Sequence, residues 1–329
     1  MITTTLRLNF ALPGQDPAVN AARHQAAVSM VAAADAAGLN NVSLEEHHGV
    51  SFAGAPLGWC ASPTTLAAAI LARTTKVMVG LWGLALPLHD PLRLAEDVAT
   101  LDLLAPGRVV LTVNTGYREA EYAAHGADFA KRVEIFDAKL ALLRRAWSGE
   151  PIAMGGHEFI VTPRPRSAPH PMLLVGGATV EDARLAARHG LPFRPSADVA
   201  ELRQAYEEAC SESDATPMYL APPAKLGIVH IADDPERWWQ RVGEHFLLEA
   251  RVYDSWIRPG EFSAVHSRAT TVDELRAEGI YQVLTPADAV ARARADGALV
   301  VHPLCGGTPL ELAEECVGLF VEQVLPELA

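Results

Sequence analysis

The sequence predicts an α/β protein built as a (β/α)8 TIM barrel with insertions. Three observations lead there. Short apolar runs alternate with longer amphipathic stretches along the 329 residues, the rhythm of a parallel sheet wrapped by helices. About eight such units of this length suit a closed barrel. Leu12-Pro13-Gly14-Gln15-Asp16 follows the first run, where a doubly wound dinucleotide fold would carry Gly-x-Gly-x-x-Gly.

Thr4 to Phe10 reads as the first strand, and a helix from about Ala21 to Ala37 stops at Gly38. Asn41 to Leu44 is the second strand, and Glu45-Glu46-His47-His48 follows it. Ser62-Pro63 opens a helix running to about Arg73, with Pro in its first turn. Lys76 to Leu81 is a third strand, Pro91 to Leu104 a helix, Arg108 to Val113 a fourth strand and Phe129 to Trp147 a long helix. Gly155-Gly156-His157 to Thr162 forms a small hairpin and Arg164 to Pro171 a Pro-rich connector. Met172 to Val175 resumes as a strand before a helix from Val180 to His189. Later strands fall at Gly227–Ile231, Tyr281–Leu284 and Leu299–Val301; later helices fit Val199–Ser211, Pro235–Asp254, Ala287–Ala295 and Leu310–Val324. Trp256 to Gly279 fits no unit. The chain therefore reads as one domain over 1–329, with insertions near 151–171 and 255–280.

A net charge of −13 opposes partners that need basic surface, nucleic acid and anionic membrane alike. No apolar run is long enough to span a bilayer, and Met1 to Thr5 shows no signal peptide. Cys60, Cys210, Cys305 and Cys316 have no metal or redox spacing, which fits a reducing cytoplasm.

In a barrel, working side chains sit at strand C-termini. Those positions carry Glu46-His47-His48, Gly80-Leu81-Trp82-Gly83, Asn114-Thr115-Gly116-Tyr117-Arg118, Gly176-Gly177-Ala178-Thr179 and His302-Pro303. Histidine beside carboxylates is tunable for proton transfer near neutral pH; Glu45 is left to solvent. No nucleophile elbow or Cys–base pair appears, so the reaction is expected to borrow a cofactor. Two glycines before a helix leave backbone N–H groups for a phosphate, with Thr179 as cap and Arg194 as a distant cation. His47, His48 and His302 could join a metal site, but Leu6-Arg7-Leu8-Asn9 lacks the His-x-His of barrel metallohydrolases, so no metal is expected. Glu96, Asp97 and Asp102 read as solvated or helix-end groups, His89 as a loop residue, and Trp238-Trp239 as core or interface.

Several segments in order resemble the luciferase-like monooxygenase family: Glu46-His47-His48; Val79-Gly80 with Leu86-Pro87-Leu88-His89-Asp90-Pro91; Arg93 to Asp97 through Leu101-Asp102; Gly107-Arg108; Gly116-Tyr117-Arg118; Val175-Gly176-Gly177; and His302 to Pro309. The resemblance covers most of residues 1–190 and the last thirty or so. It implies a monooxygenase using reduced FMN, supplied by a flavin reductase, and molecular oxygen on a small-molecule substrate. It equally admits the deazaflavin F420 and hydride chemistry on the same scaffold. By resemblance His47 transfers protons, supported by His48 and Glu46. Leu81-Trp82-Gly83 forms a bulge under the flavin ring, often with a non-proline cis peptide. Asn114 lines the flavin pocket, and Gly176, Gly177, Ala178 and Thr179 bind the phosphate. A homodimer is expected. Ala178 departs from the Ser or Thr of many members, and Gly190 to Pro195 departs from their Gly-aromatic segment. A non-catalytic flavin carrier and a zinc hydrolase stand as rival classes.

Overall fold

The computed structural model describes residues 2–212, 216–222 and 227–329. Nine strands form one sheet: β1 (Thr3–Leu8), β2 (Asn41–Glu45), β3 (Met78–Ala85), β4 (Val109–Asn114), β5 (Met172–Gly177), β6 (Phe193–Pro195), β7 (Ile228–Ile231), β8 (Tyr281–Leu284) and β9 (Ala298–Val301). All pair in parallel, in the order β6-β5-β4-β3-β2-β1-β9-β7-β8.

The two-residue period of a strand explains the curvature. On β4, Val109, Leu111 and Val113 are buried against helices, while Val110, Thr112 and Asn114 face a common lumen. Likewise Leu6 and Leu8 of β1 point outward, and Thr3, Thr5 and Arg7 point in. Inward residues of β1 to β7 and β9 line one cavity, which makes the sheet a (β/α)8 barrel of eight strands. β8 pairs with β7 at one end of the order and lines none of the cavity. Beside β6, at the other end of the order, Phe193 N–H donates to Met218 O and Leu220 N–H to Phe193 O, and Leu220, Ala221 and Pro222 continue the lining of the cavity.

Twelve helices accompany the sheet among the described residues: α1 (Pro17–Ala36), α2 (Pro63–Leu71), α3 (Pro91–Leu104), α4 (Glu119–Ala124), α5 (Arg132–Ser148), α6 (Val180–Arg188), α7 (Ala200–Glu212), α8 (Pro235–Asp254), α9 (Val272–Glu278), α10 (Pro286–Asp296), α11 (Leu310–Leu319) and α12 (Leu325–Leu328). Their starts are chemically marked. Asp16, Asp90, Asp234 and Thr285 each accept first-turn N–H groups just before a proline.

The sequence reading missed β6, whose three residues lie against Pro192 and include Pro195 and so lack a strand-like run. It also missed α4 and α9; the latter lies in the stretch assigned to no unit and starts with a Thr271–Glu274 capping box. The first strand ends at Leu8, not Phe10, and α11 gives way at Leu319 to a π turn over Phe320–Val324. Residues 151–171 do hold an antiparallel hairpin, Ile152–Met154 with His157–Phe159.

Candidate active site

The lumen is a cavity of about 1080 Å³. Barrel interiors are usually filled by layers of branched side chains. Here β1, β2 and β4 place Thr5, Arg7, Ser43, Glu45 and Thr112 inward, and such short or mutually bonded groups leave the middle open.

His47 sits on this wall just past β2, 9% exposed. Its Nδ1 lies 3.3 Å from Glu121 Oε1 and its Nε2 3.1 Å from the Tyr117 hydroxyl. An ionised carboxylate only accepts, so Nδ1 carries the proton and Nε2 presents a lone pair toward the cavity side. Glu121 Oε1 also accepts from the His48 N–H at 2.8 Å and Arg118 Nη1 at 2.6 Å. Burial would raise the Glu121 carboxyl, but the His47 bond and these partners bring it below the usual range. Trp256 packs on the imidazole with ring centres 4.7 Å apart, Trp59 meets it edge-on at 5.7 Å, and Arg118 covers Trp256 at 4.5 Å.

Glu46 and His48 form the outer part of the group. Glu46 is 5% exposed and holds His89 Nε2 at 2.8 Å and His48 Nε2 at 3.5 Å. Burial pushes its carboxyl up, yet the bonds from His48 and His89 win and hold it at about 2. The same contact raises His48. Glu45 is not left to solvent: Arg7 Nη2 at 2.6 Å and the Tyr253 hydroxyl at 3.0 Å both bond its Oε2 inside the barrel. Glu121, Tyr253 and Trp256 were absent from the sequence list because helix and insertion residues carry no strand-end signal.

Trp82 and Gly83 do form a bulge, with the β3–β4 register shifting between Leu81 and Leu84 and Gly83 at φ 71°. The expected non-proline cis peptide is not there. Among the described residues the cis bonds are Thr162–Pro163 and Ala168–Pro169, and the left-handed Gly83 makes the bend instead. Leu81 is fully buried toward the helices, whereas Trp82, Gly83 and Asn114 line the cavity. Asn114 Nδ2 donates to Gly83 O at 3.3 Å.

Gly176, Gly177, Ala178 and Thr179 line the adjoining wall, at the end of β5 beside β4. Two of their N–H groups are already engaged: Ala178 and Thr179 donate to Asp182 Oδ2 at 3.0 and 3.1 Å, as part of the α6 capping box. His302 lies elsewhere. It is fully buried, with Nε2 3.1 Å from Glu249 Oε1, and lines no part of the cavity. Glu249, His302 and Cys305 bring their polar atoms within 4.8 Å of one another, but Glu249 is already bonded by Asn9 and the Gly306 N–H. Asp102, read as a solvated or helix-end group, is fully buried; it accepts the Gly107 N–H just past α3 at 3.1 Å, and Arg166 and Ser167 N–H at 2.7 Å, tying α3 to the Pro-rich connector.

The sequence pattern of luciferase-like monooxygenases matches residues 7–324. The chain belongs to the luciferase-like monooxygenase family. The solved structure of monooxygenase RslO1 from Streptomyces bottropensis superposes with a TM-score of 0.73 at 24% identity, covering 100% of both chains. The oxygenating constituent of 3,6-diketocamphane monooxygenase from Pseudomonas putida, in complex with FMN, gives 0.70 at 17% identity over 99% of this chain and 98% of that one. By sequence, the F420-dependent hydroxymycolic acid dehydrogenase of Mycobacterium tuberculosis (strain ATCC 25618 / H37Rv) is 30% identical over 175 residues, 49% of this chain and 47% of that protein. The chain spans about half the length of the curated relatives it matches. No helix among the described residues is long and apolar enough to cross a membrane.

This luciferase-like barrel has room and chemistry for a flavin-type group. Trp82 Nε1 and Thr112 Oγ1 are buried without partners on the wall, a fit for the acceptor edge of a tricyclic ring. Arg132 and Arg258 line the cavity together with the α6 N-terminus, a fit for an anionic tail.

Proposed function

We propose that the protein is a flavin-dependent oxidoreductase, a monooxygenase that uses reduced FMN and molecular oxygen on a small organic substrate. The observation that carries this reading is His47 on the cavity wall, clamped at Nδ1 by Glu121 and bonded at Nε2 by the Tyr117 hydroxyl, itself a cavity-lining group. A bound reduced flavin supplies two-electron chemistry toward oxygen. Every other task belongs to the chain. His47 Nε2 takes a proton from the reacting group or returns it, and Glu121 stabilises the imidazolium through Nδ1. Tyr117 occupies Nε2 until a ligand group replaces it. Trp59, Tyr253 and Trp256 keep water from the ring, which strengthens each polar contact.

Trp82, Gly83 and Asn114, with the Leu81 backbone, would hold the flavin ring. Gly176, Gly177, Ala178 and Thr179, with Arg132 and Arg258, would hold the tail. The two N–H groups committed to Asp182 put more of that task on the arginines. A flavin reductase would deliver the reduced cofactor, and a homodimer is the working assembly. An F420-dependent dehydrogenase is the second reading, favoured by identity to the mycobacterial enzyme.

Titrating the purified protein with FMN and with F420, each oxidised and reduced, tests both. Tighter binding of reduced FMN supports the first reading and preference for F420 the second. Binding of neither overturns both.

A further inference from the structure

Arg194 stands in the cavity as a cation without an acceptor. Its backbone is the middle residue of β6, paired with Gly176 of β5. Its guanidinium lies 3.9 Å from the ring centre of Trp82 on β3, so a residue of the sixth strand meets one of the third across the lumen. Among the described residues, no carboxylate or carbonyl accepts a hydrogen bond from it. Glu45 is the carboxylate whose charge reaches it, and that group is held by Arg7 and Tyr253. Burial accordingly brings the guanidinium down to about 10.

The surrounding wall shares the same deficit. Trp82 Nε1, turned over Gly80, and Thr112 Oγ1 are both buried without partners, and so is Arg7 Nε. Trp82 Nε1 and Arg7 Nε are donors only, and Thr112 Oγ1 can donate as well. A half-buried cation held against an indole on the cavity wall, with no protein acceptor among the described residues, is placed to receive a ligand's acceptor group. A planar guanidinium stacked on an indole presents its N–H edge to a flat acceptor.

We propose that Arg194, stacked on Trp82, is the receptor for the negative edge of a planar conjugated anion bound in the barrel. Two sources carry that chemistry: the reduced flavin ring, anionic along one edge, or an aromatic carboxylate on the substrate. The first source rests on the flavin reading above; the second does not.

Wild type, Arg194→Gln and Arg194→Lys are compared in two arms. One measures anaerobic affinity for oxidised and reduced FMN; the other measures binding of benzoate and of neutral benzamide by calorimetry. In at least one arm the wild type should prefer the anion. Arg194→Gln should reduce that preference by roughly 10- to 100-fold, the range of a charge-assisted hydrogen bond. Arg194→Lys should restore part of it, and the neutral or oxidised ligand should be little affected. In the FMN arm each tenfold loss lowers the midpoint potential by about 30 mV for a two-electron couple. Movement in the FMN arm assigns the anion to the cofactor, and movement in the benzoate arm to the substrate.

Absence of anion preference in both arms overturns the proposal, as does equal loss of charged and neutral ligands in Arg194→Gln. If FMN fails to bind, the flavin reading falls while the benzoate arm still decides this one. The melting temperature of Arg194→Gln should be no lower than that of the parent; a clear drop would make Arg194 a structural tie and overturn the assignment.

Discussion

Glu121 fixes His47. Its Oε1 sits 3.3 Å from the imidazole Nδ1 while also accepting the backbone N–H of His48 and the guanidinium of Arg118. One carboxylate oxygen from α4 therefore sets both the tautomer and the direction of the histidine that follows β2. This is the arrangement by which a base is kept ready at one nitrogen.

His47→Ala should lower kcat by roughly 10²- to 10⁴-fold, the usual span for general acid–base groups. Glu121→Gln should lose a smaller part of the same factor, because an amide can donate to Nδ1 and favour the wrong tautomer. FMN affinity should change little in either variant. Steady-state turnover beside a binding titration separates the two effects; unchanged turnover in His47→Ala removes its assigned role.

The Glu46 carboxyl is held at about 2 from an ordinary 4.5, so the folded state binds it more readily as the anion. Its stabilising contribution is complete above about 4.5 and is lost as pH falls toward 2. The raised His48 has the opposite sign, with a contribution complete below its unfolded value and lost as pH rises through the folded one. Glu46→Gln should cost on the order of 1–3 kcal/mol at neutral pH. Denaturant melts over a pH series should show the gap to wild type closing below about 4.5.

Gly80 is the platform for Trp82. A Cβ placed there would run into Trp82 Nε1, inside any real contact distance. Gly80→Ala should destabilise by about 1–3 kcal/mol through overpacking and displace the indole from Arg194. Thermal melting together with tryptophan fluorescence reads both; a variant with parental stability and emission would mean the indole moves freely.

Asp182 places a carboxylate against the turn expected to meet a phosphate. Burial raises it, with its hydrogen bonds opposing, so part of its charge is lost as pH falls through its raised value. Wild type should gain FMN affinity relative to riboflavin on acidification. Asp182→Asn should show that gain at neutral pH, by roughly three- to tenfold, and lose the pH dependence. Equal response of FMN and riboflavin would place the phosphate away from α6.

Much of this protein could be read from local chemistry. The β-branched runs, the Asp-Pro and Thr-Pro helix starts and the alternation of the two periods specify the barrel, because each is a property of a few adjacent residues. Glu46 and His47 stood out for the same reason, as neighbours at a strand end. Short elements such as β6 and α4 lacked enough residues to show a period.

Tertiary structure decided the partners. Glu121 is 74 positions from His47, Tyr253 is 208 from Glu45, and Arg194 meets Trp82 from the far side of the barrel. Sequence left Glu45 to solvent, read Asp102 as a solvated or helix-end group and put His302 at the mouth; packing bonds Glu45 to Arg7 and Asp102 to Ser167, and buries His302 against Glu249. The physical reason is that barrel closure, not chain proximity, brings inward side chains of opposite strands together, and burial then compels every polar group to find an acceptor or to wait for one.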